Sequence, residues 1–242
     1  MYTGASFARL AVAVALVVGL SACGEGRSAV TVVRVGSRSI TKAMVEHWIE
    51  ITAITNNERI PRGPAPPGVV PDPPAYTACI ARLAKHPQPA TGGESKPPVG
   101  VLRSRCKAEY AGLREQALRY LIDAYWLTGE SARLGVAVSQ SELARQFART
   151  RKVLFPSQDE FRRFFAYSGE TVADRLFGLR LDLLSERIRQ RLLERQHGGT
   201  AQQRQQAVSA YLERAMREWV AQTSCEPGYV VAECRQYSAG HG

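Results

Sequence analysis

Residues 103–135 read RSRCKAEYAGLREQALRYLIDAYWLTGESARLG, and they open a run to Gln196 that contains a single proline, Pro156. Within it Cys106, Tyr110, Leu113, Ala117, Leu121 and Ala124 fall at i, i+4, i+7, i+11, i+15 and i+18. Leu176, Leu179, Leu183, Leu184, Ile188, Leu192 and Leu193 repeat that spacing towards the end of the run. A period near 3.6 puts one apolar stripe on each helix, and such stripes are stable only when they cover one another. The chain is therefore expected to be mainly α, organised around a cluster of helices.

Punctuation supports this reading. Gly135 should end the helix that holds Cys106 near Arg133, because glycine supplies the left-handed residue that closes a helix. Ser139 with Glu142, and Ser157 with Glu160, have the spacing of capping boxes. After the break Ser168-Gly169-Glu170, Thr171 and Asp174 are placed to cap the last helix of the run. Phe155, Phe161, Phe164, Phe165 and Tyr167 gather around the middle breaks, either as core packing or as part of a client-binding surface.

Towards the N-terminus, Val30 to Val35 is β-prone, residues 36–39 turn the chain, and Ile40-Thr41 is expected to open a helix. Thr41 is its cap, and Ile40 with Val45 stands at the staple positions. His47 in that helix reads as a surface or packed residue. Residues 61–100 hold eleven of the thirteen prolines. Proline removes backbone donors and blocks helix, so this is an inserted loop or arm, with one short helix from Tyr76 to Lys85.

The first twenty-two residues are an address. Arg9 precedes the apolar run Leu10–Leu20, which ends in Ser21-Ala22-Cys23. That is a secretory signal, and it falls short of the about twenty apolar residues a spanning helix needs. Leu20-Ser21-Ala22-Cys23 resembles the bacterial lipobox, which implies that Cys23 becomes the lipidated first residue and that residues 23–29 form a tether. Two or three acyl chains anchor stably where one is marginal. The net charge is +10, and residues 1–22 contribute only Arg9 to it. The basic excess comes mostly from arginines interleaved with Glu and Asp on helices and reads first as solvated helix faces; attraction to anionic lipid or cell-wall polymer comes next, and nucleic acid last.

Four further cysteines, Cys79, Cys106, Cys225 and Cys234, are an even set in an exported chain and imply disulfides. Three connectivities are possible. Cys79–Cys106 and Cys225–Cys234 are expected, each pair being nearest in sequence and flanking one plausible loop. No cysteine or histidine spacing matches a zinc site, so no metal or other cofactor is expected.

The ordered set of motifs resembles the helical N-terminal domain of SurA/PrsA-type extracytoplasmic chaperones. It consists of Val33-Arg34-Val35-Gly36-Ser37-Arg38-Ser39-Ile40-Thr41 before an amphipathic helix, then Leu134-Gly135-Val136-Ala137-Val138-Ser139-Gln140-Ser141-Glu142. The resemblance implies a chaperone-like domain over 30–196, with a short β-strand near the N-terminus. It also implies a C-terminal helix that returns to complete the domain, so that 200–242 forms that helix and a disulfide-stapled tail. Val208 to Val220 supplies the helix, with Tyr211, Met216 and Trp219 expected as its apolar face. The parvulin isomerase domain of relatives has no room between Gln196 and Gln206. The expected function is the holding of unfolded or nascent secreted polypeptides at a membrane through the lipid anchor, without isomerase catalysis. An envelope scaffold binding one partner or cell-wall polymer, or a peptidyl-prolyl isomerase, are the alternatives.

Overall fold

A 36-residue helix, α3 (Val99–Leu134), is the axis of the fold. At 1.5 Å per residue it is about 54 Å long. The computed structural model describes residues 30–85 and 97–240; the expected signal segment 1–22, Cys23 and the expected tether 23–29 lie outside the described residues. Helix α3 ends where Gly135 takes φ +66°. The Gly135 N–H then bonds to the Ala132 carbonyl and the Val136 N–H to the Ser131 carbonyl, satisfying carbonyls that the helix end would leave open.

The first half of the core forms between α3 and the N-terminal segment. Strands β1 (Thr31–Val35) and β2 (Arg38–Thr41) make an antiparallel hairpin around Gly36-Ser37. Gly36 sits at φ +57°, the sign reversal that a two-residue hairpin turn requires. Helix α1 (Lys42–Asn57) follows directly, with the Thr41 hydroxyl accepting from the Met44 N–H. Its Val45, Ile49 and Ala53, at i, i+4 and i+8, face Leu113, Ala117, Leu118, Leu121 and Ile122 of α3.

Two features correct the expectation of one strand and a helix opening at Ile40. Arg38–Thr41 is itself a strand, and Thr223–Cys225 forms a third, β3, giving the order β2-β1-β3. Three residues carry no period, and this pairing joins positions nearly two hundred residues apart, as in Val33 opposite Cys225. Thr223 is fully buried. Its hydroxyl accepts from Trp126 Nε1 at 2.9 Å and donates to the Trp219 carbonyl at 2.8 Å.

The proline-rich arm returns to the body before α2 (Thr77–Lys85). Val69 and Tyr76 are buried, and Asp72 accepts from the N–H groups of Ala78 and Cys79 at the start of α2. Burial works to raise the Asp72 carboxyl, but those backbone donors outweigh it and hold it below the usual range. Cys79 and Cys106 are joined, tying α2 to α3, with both cysteines fully buried.

Beyond α3 come α4 (Gln140–Leu154), α5 (Gln158–Tyr167), α6 (Val172–Glu194) and α7 (Ala201–Ala221). Only residues 195–200 separate α6 from α7, so no domain intervenes there. Helix α7 returns along α6 and α3. Its inward face is Val208, Tyr211, Ala215 and Trp219, while Met216 is 55% exposed. The expected i, i+5 step was at fault: five residues turn a helix about 140° past a full turn, whereas four overshoot by only 40°. Glu130 of α3 is 5% exposed and accepts from Tyr211 OH at 2.5 Å and Trp219 Nε1 at 2.9 Å. The Cys225–Cys234 disulfide and α8 (Arg235–Gly240) close the fold.

Candidate functional site: a groove beside α6

The first half of α6 is positioned by its own cap. Thr171 and Asp174 form a complete capping box after Gly169, whose φ is +72°. That turn rests on Ile51 and Ile54 of α1. Arg187 holds the other side, pairing with Glu142 at 2.6 Å and donating to the Ala137 carbonyl. This corrects the capping box expected at Ser139. The Ser139 hydroxyl does accept from the Glu142 N–H, but the Glu142 carboxylate is drawn to α6.

Held this way, the start of α6 spans a gap instead of filling it. Residues 174–180 are all partly exposed. On one side an open groove of about 740 Å³ is enclosed by β2, α3, α4 and α6. Tyr125, Leu143, Leu176 and Phe177 form its apolar lining, and Arg38 and Arg180 stand in its walls. No Asp or Glu lines it, and neither arginine has a carboxylate partner among the ion pairs of the described residues. Tyr125 OH donates to the Ser39 carbonyl at 3.2 Å, which fixes the ring, and the Arg38 guanidinium lies 5.8 Å from its centroid.

The opposite side of α6 has the reverse charge. A cleft of about 250 Å³ has Trp48, Tyr120 and Phe147 among its apolar walls and Glu170, Asp174 and Asp182 among its polar ones. Burial, reinforced by those carboxylates, pushes the Tyr120 hydroxyl up to about 12. Burial also raises Glu170, against the opposing pull of Arg175. At Asp174 burial raises the carboxyl, but hydrogen bonds from Thr171 and His47 outweigh it and leave it lowered. His47 therefore has a definite partner, its Nε2 lying 3.0 Å from Asp174 Oδ2. Phe177 joins the two sides, since its ring also packs on Trp48 and Tyr120 with centroids 6.3 and 6.2 Å apart.

The aromatic group singled out in the sequence lies elsewhere. Phe155 and Phe164 are buried, and Phe161, Phe165 and Tyr167 are partly so. The phenylalanine rings stack edge to face or tilted, with Phe147 added from α4, and make the interior of the α4–α5 arm. None of the five lines the groove. Sequence reasoning missed Tyr125, Leu143, Leu176 and Phe177 as a set. Each looks like a core position on its own helix, and no local signal says that the stripe of α6 is left half uncovered.

The described residues contain no group of three or more His, Cys, Asp or Glu placed to hold a metal ion. None of their helices is long and apolar enough to cross a membrane. The chain matches no protein-family model, no curated protein and no solved structure.

Proposed function

We propose that this protein holds unfolded or nascent secreted polypeptides outside the cytoplasm, anchored to a membrane through lipid on Cys23, without isomerase catalysis. The observation that carries the reading is the open groove beside α6: an apolar floor, free arginines in the wall, and no carboxylate. Such a surface binds apolar side chains of many sequences, because apolar burial is not directional. Each large side chain taken out of water contributes roughly 1.5–3 kcal/mol. Ordering each one costs about 0.5–1.5 kcal/mol, so two or three seated side chains give weak, reversible holding. The sequence features of Cys23 and the preceding apolar run support the compartment.

The test is suppression of aggregation for several unrelated clients, with Leu176→Asp as the variant. Leu176 lies in the groove and is only partly buried. Losing its contribution of about 1.5–3 kcal/mol means holding that is tenfold weaker or more, with the melting temperature tracked in parallel. Equal protection by Leu176→Asp would overturn the reading. Protection of a single client only would point to an envelope scaffold, and turnover of a proline peptide would point to an isomerase.

A further inference from the structure

The end of α4 and the loop after α1 line an open cleft that shares no residue with the groove. Val153 is 79% exposed, more than any other large apolar side chain among the described residues, and its neighbour Leu154 is 41% exposed. Ile60, 50% exposed, lines the same open cleft as Leu154. Single exposed apolar side chains are ordinary, but a group of them rimmed by charge marks an interaction surface.

The charges around them are mostly of one sign. Arg59, Arg62 and Arg163 line that cleft, and Lys152 precedes Val153 in the last turn of α4. All four are exposed, and none takes part in an ion pair among the described residues. Two acids, Glu58 and Glu160, also line the cleft, the second hydrogen-bonded to Ser157 at the start of α5, so the four cations outnumber the carboxylates by two.

We propose that this patch is a docking surface for an anionic lipid bilayer, with Val153, Leu154 and Ile60 entering the interface and the four cations lying at the headgroups. The charge complementarity is direct. Each basic group near an anionic leaflet strengthens binding roughly fivefold. Val153 and Leu154 stand at the end of α4 and Ile60 in the loop after α1, all exposed to a lipid interface. Three of the four cations are arginines, whose guanidinium forks match phosphate oxygens. The surface acts on a chain already held at a membrane, so it rests on the lipid-anchor reading, and the experiment separates the two.

The full chain carries an environment-sensitive fluorescent amino acid in place of Val153. It is mixed with vesicles of phosphatidylcholine alone, or of phosphatidylcholine with phosphatidylglycerol. Flotation with neutral vesicles reports the anchor; the emission at position 153 reports the patch. The expected result is a blue shift only with the anionic vesicles. It should be abolished by Arg62→Glu with Arg163→Glu, and by about 1 M salt, where the screening length falls to about 3 Å. The same label in place of Val172, exposed at the start of α6, should not shift. No shift at 153 with anionic vesicles, or an equal shift at 172, overturns the proposal whether or not the chain floats. A shift produced by a soluble acidic peptide and not by vesicles also overturns it, and makes the partner a protein.

Discussion

Gly129 on α3 should resist even a methyl group. A Cβ placed there would stand 2.3 Å from Trp219 Cη2 and 2.5 Å from Cζ2, where ordinary contact begins beyond 3.4 Å. The ring has little freedom to retreat, because its Nε1 donates to buried Glu130 and the Arg133 guanidinium lies 4.2 Å from its centroid. Two physical effects then oppose each other in Gly129→Ala. Helix propensity favours alanine by about 0.8–1.0 kcal/mol. Overpacking costs about 1–3 kcal/mol, and a weakened hydrogen bond to a charged acceptor costs about 1.5–3 kcal/mol. Packing wins, with a net loss of about 1.5–5 kcal/mol. For a domain of this size that lowers the melting temperature by roughly 3–20 °C. Urea or thermal unfolding measures it, and Trp219→Leu supplies the control. With the ring shortened, Gly129→Ala should become neutral or stabilising by about 1 kcal/mol, as propensity alone demands. If Gly129→Ala raises the melting temperature of the unaltered chain, α7 does not return onto α3 as described, and Trp219 has no seat there.

Two further outcomes follow from the same packing. The lowered Asp174 carboxyl adds stability that is present above its unfolded value near about 3.9. That stability is lost as pH falls through the folded value, so Asp174→Asn should flatten the acid limb of urea unfolding below about pH 4; an unchanged acid limb would remove Asp174 from the account. Removing Cys79–Cys106, with a sequence separation of 27, should cost about 3–4 kcal/mol, against about 2–3 kcal/mol for Cys225–Cys234 at a separation of 9; midpoints in urea without reductant compare them, and the reverse order would contradict the loop-entropy argument.

What could be read along the chain is what neighbours within a turn or two decide. The Ser157–Glu160 and Thr171–Asp174 boxes, the helix end at Gly135 and the stripes of α1 and α3 depend on residues three or four apart. Those interactions are local, so spacing reveals them. Even there, a distant partner can win. The Glu142 N–H keeps its bond to Ser139, but its carboxylate leaves the return half of the box for Arg187, a charge-assisted bidentate-capable partner.

The groove belongs to the other kind of information. Its lining comes from β2, α3, α4 and α6, and its openness depends on how far α6 stands from α3 once Gly169 has seated on α1. The third strand is likewise decided at a distance. Thr223–Cys225 has no pattern of its own; α7, running back along the core, delivers it beside β1, and Trp126 offers Thr223 its N–H. Periodicity tells a helix which face is apolar. It does not say whether that face is covered by another helix, as at Trp219, or left partly open to water, as at Leu176. That choice is made by distances between segments far apart in sequence, and it settles only when all of them pack together.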